Sequence, residues 1–178
     1  VEDSNKQTKQ LPILSKKAEI PEKIENNRVI IISGNTGCGK STQVPQYIYE
    51  KNNNCKILIT QPRRIAAISI ANRLSFERNT KLGKLIGYHV SMITNYSSET
   101  QIFVKTTGVF LEELLHNNDK DNKLDYTHII IDEVHERDLY VDLVLVLLKN
   151  YFKTNPQSNK KLILMSATIA ESQFANYL

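Results

Sequence analysis

Four short runs of aliphatic and β-branched residues constrain the fold of this chain more than any other feature of its sequence. They lie at residues 28–33, 56–60, 127–132 and 161–166, and weaker runs of the same kind lie at 86–90 and 101–106. Apolar runs of this length are typical of strands in parallel sheets, which are buried on both faces. The runs therefore predict a sheet that is mostly parallel.

Segments with the periodicity of helices separate these runs. Apolar residues recur at helical intervals within residues 65–76 and 111–115, and residues 138–152 predict the longest helix. Strands that alternate with helices predict an α/β fold with helices on both faces of the sheet and ligands at the carboxyl ends of the strands. With 178 residues, 40% of them hydrophobic, the chain suits one domain over residues 1–178, of which residues 1–10 are polar.

Cysteine content favours an intracellular setting, and net charge decides little about function. A net charge of +4 and a pI near 9.0 fit a partner that carries phosphates, but they are also common in proteins that bind no nucleic acid. Cys38 and Cys55 form no CxxC pattern, so neither a disulfide framework nor a zinc site is predicted. The longest apolar stretches, such as residues 141–148, are too short to span a bilayer. We therefore expect a soluble cytoplasmic protein that makes no membrane contact.

A glycine-rich loop follows the first predicted strand. Residues 34–41 read GNTGCGKS, which fits the pattern GxxxxGK[ST] in the strand–loop–helix setting of a phosphate-binding loop. The glycines bring main-chain N–H groups close to phosphate, Lys40 would neutralise the β- and γ-phosphates, and the Ser41 hydroxyl would bind Mg²⁺. An ordinary glycine-rich turn would leave Lys40 and Ser41 unexplained. The predicted nucleotide-binding residues are Gly34, Asn35, Thr36, Gly37, Cys38, Gly39, Lys40, Ser41 and Thr42.

Two carboxylates end the strand at residues 127–132. Because parallel strands end at the same rim, we expect Asp132 and Glu133 to lie beside the glycine-rich loop. There Asp132 and Glu133 would complete the Mg²⁺ site with Ser41, and Glu133 would polarise the water that attacks the γ-phosphate. Most Asp-Glu pairs at strand ends are merely solvated acids, and His135 by itself could be a surface histidine.

Five short motifs in a fixed order resemble the first RecA-type lobe of the DEAH/DExH helicases of superfamily 2. The resemblance covers residues 11–178, and five motifs in the right order are far more specific than one. It implies a RecA-like P-loop NTPase fold, ATP and Mg²⁺ as cofactors, and hydrolysis coupled to RNA. The motifs lie at residues 34–42, 60–64, 106–108, 132–137 and 166–168.

The resemblance also implies a surface for single-stranded RNA. In these helicases two of the five motifs face the sugar-phosphate backbone, which positions a strand without reading its sequence. Without the resemblance, the two arginines of the second motif would read as a solvated basic pair. The residues that correspond here are Arg63, Arg64, Thr106, Thr107 and Gly108.

Four more roles follow from the resemblance. Ser166 and Thr168 would couple the nucleotide site to RNA by bonding to the acidic motif. His135, counted with Lys40, Asp132 and Glu133 among the catalytic residues, would contact a second RecA lobe when ATP is bound. Arg73 would stack on the adenine ring, although a helix-surface arginine explains its position equally well.

The chain departs from the family pattern at four positions. Asn35 stands where Glu is usual, Thr107 where Asp is frequent, and Val134 where Ala gives the motif its name. These three leave the phosphate, metal and water roles intact. Ser91 replaces a residue that is commonly basic, which puts one expected RNA contact in doubt.

The sequences of the motifs are similar to those of one group within the family, the Tudor-domain DExH helicases of the germline piRNA pathway. The similar segments are TQPRRIAAISIANR at residues 60–73, KTTGV at 105–109 and DEVHERD at 132–138. This similarity implies a longer parent chain with a second RecA lobe, piRNA-pathway proteins as partners, and perinuclear germ granules as the location.

Three other interpretations stay open at this point. A small P-loop kinase or GTPase would give the Pro-Arg-Arg and Ser-Ala-Thr segments no role, and no guanine-reading Asn-Lys-x-Asp segment is present. A clamp that closes on RNA with little turnover is disfavoured by intact Lys40, Asp132 and Glu133. A DEAH-box helicase of splicing or general RNA processing would share all five motifs. In every helicase interpretation one lobe alone should hydrolyse ATP slowly, because the arginine that stabilises the transition state belongs to the second lobe.

Overall fold

The computed structural model describes residues 11–116, 124–136 and 138–167, and seven strands and five α-helices lie within them. The strands are β1 (Val29–Ser33), β2 (Ile57–Gln61), β3 (Ile86–Val90), β4 (Ile93–Asn95), β5 (Ile102–Thr106), β6 (His128–Ile131) and β7 (Lys161–Ser166). The helices are α1 (Glu19–Asn26), α2 (Lys40–Lys51), α3 (Arg64–Glu77), α4 (Thr107–His116) and α5 (Leu139–Thr154). Short 3₁₀ helices span Pro12–Lys16 and Val134–Glu136.

All seven strands belong to one sheet, in the order β1-β7-β6-β2-β5-β3-β4. Every neighbouring pair is parallel except β3 and β4, which form an antiparallel hairpin at the edge. The six predicted strands are present. β4 was not predicted, because its three residues are exposed and carry little apolar signal. The fold prediction of a mostly parallel α/β sheet of the RecA type is confirmed.

Helices cover both faces of the sheet, and alternate residues of each strand point to opposite faces. In β6, Ile130 packs into the core beneath α1, α2 and α3. Its neighbours Ile129 and Ile131 pack into a second core beneath α4 and α5. All three are fully buried, as expected for a central strand with apolar residues at every position.

The helix after β2 begins later than its sequence suggests. Proline is favoured at the first position of a helix, so Pro62 predicts a start there, but Arg63 is extended, with φ −115° and ψ 135°, and α3 begins at Arg64. Pro62 and Arg63 therefore form a short link that holds the two arginines at the end of the strand.

The N-terminus of α5 is capped by a side chain, since Asp138 Oδ1 accepts the Tyr140 N–H at 2.5 Å. None of the helices in the described ranges is long and apolar enough to cross a membrane.

Candidate functional site

The strand order brings three of the predicted motifs to one half of the carboxyl rim. β7 lies between β1 and β6, so the glycine-rich loop after β1 and the carboxylates after β6 are two strand spacings apart, roughly 10 Å. Ser166 ends the strand between them. Its carbonyl accepts the Gly34 N–H at 3.1 Å, which ties the start of the loop to β7.

Two glycines allow the loop to turn tightly onto the helix that follows. Gly37 and Gly39 have φ angles of +78° and +100°, in the left-handed region that other residues adopt only with strain. A Cβ on Gly39 would also lie 3.0 Å from Leu11 Cδ1 and 3.1 Å from Ile13 Cγ2. α2 then begins at Lys40, so its first N–H groups point into the loop.

Lys40 is buried, and its ammonium group lies inside the loop. Lys40 Nζ donates to the carbonyl oxygens of Gly34 and Asn35, at 3.1 Å for Asn35, and lies 3.6 Å from Cys38 Sγ. These carbonyls are neutral acceptors, whereas phosphate oxygens are charged and accept stronger hydrogen bonds. The lysine is thus placed where a phosphate could compete for it.

Asp132 is the most buried acid of the site, with 1% of its surface exposed. It accepts hydrogen bonds from the Ser41 hydroxyl, from Gln61 Nε2 at 2.5 Å and from the Glu133 N–H at 2.9 Å. Desolvation by burial raises the pKa of the Asp132 carboxyl and the nearby Glu133 charge adds to this, while the hydrogen bonds act in the opposite direction. A carboxylate that is poorly solvated in this way favours a cation as its partner.

The residues around Asp132 fit Mg²⁺ of the kind that accompanies a nucleotide. Mg²⁺ is usually held by one or two carboxylates, with waters and substrate phosphates filling its other positions. Asp132 and the hydroxyl of Ser41 supply such a partial set beside an open pocket.

Glu133 and His135 lie side by side at the same rim. Glu133 has a φ of +55°, a strained conformation for this residue type, and its Oε2 is 3.4 Å from His135 Nδ1. The Ala167 N–H lies 3.3 Å from the same nitrogen. Because an N–H can only donate, Nδ1 accepts there, and the proton of a neutral ring belongs on Nε2. This bond joins the Ser-Ala-Thr segment to the acidic motif through Ala167; Thr168 lies outside the described residues.

A pocket of about 380 Å³ opens beside the glycine-rich loop and Glu133. Six residues of the glycine-rich loop and the first turn of α2 line it, together with Leu11, Arg73, Glu77 and Glu133. Gly34, Asn35 and Cys38 of the loop are not among the lining residues. Arg73 is thereby placed in the same pocket as Lys40 and Ser41, although 32 residues separate Arg73 from Ser41 in the sequence.

A wider groove of about 860 Å³ between α1 and α2 has a different character. Ion pairs join its walls, including Lys17 to Glu50 at 2.9 Å and Lys51 to Glu25. It contains no residue of the glycine-rich loop or of the acidic motif. The smaller pocket is therefore the one whose lining groups, such as Lys40 and Ser41, can bind phosphate.

The residues predicted to contact RNA lie on the other half of the carboxyl rim. Gln61 of β2 pairs with Thr106 of β5, so the segments that follow the two strands emerge side by side. Arg63 is 74% exposed and forms an ion pair with Glu136 at 3.1 Å, and Arg64 is exposed. Thr106 is 8% exposed and Gly108 is half-buried at the start of α4.

Thr107 differs from this expectation, because its side chain is 1% exposed. It sits under its neighbours at the first position of α4, and its hydroxyl has no hydrogen-bond partner in the structure. An RNA strand bound on this surface would not reach the Thr107 side chain. Only the main chain of Thr107 could contact it, and the RNA contacts of the other four residues stay predictions.

Three residues of the site were not identified from the sequence. Gln61 bonds to Asp132, Glu77 bonds to Arg73, and Leu11 lines the pocket. A signal existed for Glu77, which is four residues beyond Arg73 on a predicted helix and so faces it. Gln61 is a polar end to an apolar strand, but its partner depends on a strand order that the sequence does not state.

Comparison with known proteins agrees with the motifs. The sequence matches the DEAD/DEAH box helicase family over residues 15–176. Similar proteins are the probable ATP-dependent RNA helicases spindle-E of Culex quinquefasciatus, 44% identical over 171 residues, and of Drosophila willistoni, 45% identical over 174 residues. The DExH-box ATP-dependent RNA helicase DExH2 of Arabidopsis thaliana is 42% identical over 172 residues.

These matches include nearly all of this chain but a small part of each relative. They cover 94% or 95% of the chain and only 11% or 12% of the relatives. The predicted resemblance to DExH helicases is confirmed. The chain belongs to the DEAD/DEAH box helicase family.

Proposed function

We propose that this chain is the ATP-binding lobe of an ATP-dependent RNA helicase, which couples hydrolysis to the remodelling of RNA or RNA–protein complexes. The observation that carries the proposal is the shared pocket of Lys40, Ser41 and Glu133, with Asp132 bonded to the Ser41 hydroxyl beside it. The relatives are named ATP-dependent RNA helicases, which supports the same assignment.

Each group has a separate task in this proposal. Lys40 and the first N–H groups of α2 bind the phosphates, and Asp132 and Ser41 hold Mg²⁺, which would neutralise charge on them. Glu133 orients and polarises the attacking water. His135, beside Glu133 at 3.4 Å, faces the second RecA lobe of the parent chain. That lobe would supply the arginine for the transition state, so this lobe alone should turn over slowly.

Single-stranded RNA is the proposed partner on the other half of the rim. Arg63 and Arg64 are exposed there, and the end of β5 brings Thr106 and Gly108 beside them. Exposed arginines beside main-chain groups suit a phosphate backbone, which is bound without regard to sequence.

Substituting Glu133 by Gln in the full-length protein tests the catalytic assignment. The amide keeps the shape of the side chain but cannot accept the proton of the water. We expect RNA-stimulated hydrolysis to fall by roughly 100-fold or more while ATP affinity stays within about threefold. Steady-state ATPase assays with and without single-stranded RNA and DNA measure this effect and show which nucleic acid stimulates the enzyme. Glu99→Gln, the same change in an exposed loop, is the matched control. Undiminished turnover in Glu133→Gln would show that Glu133 does not activate the water.

Substituting Lys40 by Ala tests the phosphate loop itself. Losing a charge-assisted hydrogen bond to phosphate should weaken ATP binding by roughly 10-fold to 100-fold. Calorimetric titration with ATP measures the loss, and the exposed Lys84→Ala variant controls for the change in net charge. Equal affinities in Lys40→Ala and in the unsubstituted protein would contradict the assignment.

A role in germline piRNA-mediated transposon silencing is the finer part of the proposal, with piRNA-pathway proteins as partners in cytoplasmic perinuclear granules. The segments at residues 60–73 and 132–138 support it, as does the similarity to spindle-E relatives. A DExH helicase of general RNA processing is the second candidate, because the Arabidopsis DExH relatives are 42–43% identical over the same share of the chain. Crosslinking of the full-length protein to RNA in germ cells separates them: transposon-derived RNA supports the first, and other cellular transcripts support the second.

A further inference from the structure

Arg73 and Glu77 form one wall of the nucleotide pocket. They lie one turn apart on α3, and both line the pocket with Lys40 and Thr36. Arg73 Nε donates to Glu77 Oε1 at 2.6 Å. The arginine side chain is 37% exposed toward the pocket, whereas that of the glutamate is 9% exposed. A nearly buried carboxylate therefore holds a half-exposed guanidinium at the edge of the site.

Two glutamines of α2 hold the same carboxylate from the other side. Gln43 Nε2 donates to Glu77 Oε2 at 2.9 Å, and Gln46 Nε2 donates to the same oxygen at 2.7 Å. Both glutamines are 6% exposed. Glu77 thus accepts from three donors on two helices, and its orientation is fixed before any ligand arrives.

The geometry of the bond to Arg73 determines what the arginine can do. An N–H donates in the plane of the guanidinium group, so a bond through Nε fixes that plane without covering either of its faces. A guanidinium held in this way can stack on a flat aromatic ring. Without the bond the side chain would sample many rotamers, and ordering one of them would reduce the gain on binding.

We propose that Glu77, held by Gln43 and Gln46, is a positioning residue that fixes the plane of Arg73 for stacking on the base of the bound nucleotide. This inference rests on the proposed function, since it takes the pocket to be a nucleotide site. Glu77 acts through Arg73 and touches no phosphate. Its effect is therefore confined to the base, while Lys40 and Ser41 serve the phosphates.

A comparison of ATP with tripolyphosphate, which has no base, tests the proposal. In the full-length protein with Mg²⁺, Glu77→Gln should weaken ATP binding roughly fivefold to tenfold, the scale of a cation–π contact. Tripolyphosphate affinity should be unchanged. In RNA-stimulated hydrolysis the KM for ATP should rise to the same extent while kcat stays the same. Arg73→Ala should produce a similar loss, and the double variant should be no weaker than Arg73→Ala alone, because the two residues act as one unit.

Glu50→Gln is the matched control. Glu50 also joins α2 to the end of α3, through Arg78 Nη2 at 2.9 Å, but it does not line the nucleotide pocket. It should leave both affinities unchanged. If Glu77→Gln does not fold, Gln43→Met removes one of the bonds to Glu77 and should still weaken ATP alone.

The outcomes separate this inference from the proposed function. If Glu77→Gln leaves ATP affinity unchanged, or lowers the affinities for ATP and tripolyphosphate together, Glu77 does not position the base-stacking arginine and the inference is overturned. If the unsubstituted protein binds neither ligand, the nucleotide assignment of the pocket itself fails. Selective loss of ATP binding supports both.

Discussion

At the scale of single residues, Asp132 shows a conflict between stability and function. It is 1% exposed, and burial raises the pKa of its carboxyl, so the charged form is disfavoured by the fold that surrounds it. Three hydrogen bonds offset part of that cost. A cation at this position would offset more, which supports the proposal that Asp132 holds Mg²⁺.

Replacing Asp132 by Asn should therefore stabilise the nucleotide-free protein. The amide has no charge to desolvate, and the Gln61 amide can turn over so that it accepts where it now donates. We expect the free energy of unfolding to rise by roughly 0.5–2 kcal/mol in Mg²⁺-free buffer, the usual range for a single stabilising substitution. Urea denaturation measures it, with the exposed Asp142→Asn on α5 as control. A less stable Asp132→Asn protein would mean that the three hydrogen bonds outweigh the desolvation.

The sequence could identify the residues that belong to short motifs of neighbouring positions. Lys40 and Ser41 follow their glycines directly, and Asp132 precedes Glu133, so pattern and spacing suffice. Gln61 was missed because its bond to Asp132 crosses 71 positions and requires β2 and β6 to be neighbours. The positive φ of Glu133 has no signature in its residue type.

At the scale of elements, buried strands were predictable and half-exposed elements were not. The run at residues 161–166 contains four consecutive apolar residues, and β7 has these bounds. α1 was overlooked because half of its residues are charged. Its buried Ile20 and Ile24 are four residues apart and would have indicated one apolar face. β4 depends on pairing with β3 rather than on its own composition.

An ionic cluster joins the end of β5 to α4. Lys105 Nζ lies 2.5 Å from Glu113 Oε2, and the Tyr126 hydroxyl donates to Glu113 Oε1 at 3.0 Å. Lys105 Nζ also lies 5.4 Å from the centre of the Tyr126 ring. The cluster is next to Thr106 and Gly108, so it holds the predicted RNA-facing turn in place.

A double-mutant cycle on Lys105 and Glu113 tests this connection. Lys105→Met leaves a partly buried carboxylate without its partner, and since Glu113 is 29% exposed we expect a loss of about 2 kcal/mol, below the value for a fully buried pair. The coupling between Lys105→Met and Glu113→Gln should be roughly 1–2 kcal/mol by urea denaturation. The exposed pair Lys16 and Glu19 should show a much smaller coupling, because solvent and salt screen its charges. Equal couplings for the two pairs would show that the cluster does not hold β5 to α4.

At the scale of the whole molecule, the sheet order divides the carboxyl rim into two halves. The carboxyl ends of β1, β7 and β6 lie on one half of the rim, where residues after β1 and β6 line the pocket, and the segments after β2 and β5 carry the predicted RNA-facing residues on the other half. The border runs between β6 and β2, where Gln61 donates to Asp132. The hydrogen bond from Gln61 therefore connects the proposed metal ligand Asp132 to the strand that precedes Arg63 and Arg64.

The opposite rim of the sheet contains the group that should govern stability in mild acid. His128 is the first residue of β6. Burial lowers the pKa of its ring from 6.5 to about 4. The charge of Lys161 also lowers this pKa, whereas the charge of Glu25 raises it. Between these values the unfolded chain binds a proton that the folded chain does not, so the free energy of unfolding falls as the pH drops from about 6.5 to 4. The loss should approach roughly 2–3 kcal/mol, since the ring is partly exposed and the full shift is an upper limit.

Urea denaturation between about pH 4 and 6.5 should show that the free energy of unfolding depends less on pH in His128→Gln. His116 is an exposed histidine at the end of α4, and His116→Gln should keep the pH dependence of the unsubstituted protein. Parallel profiles for His128→Gln and the unsubstituted protein would assign the acid sensitivity to carboxylates instead.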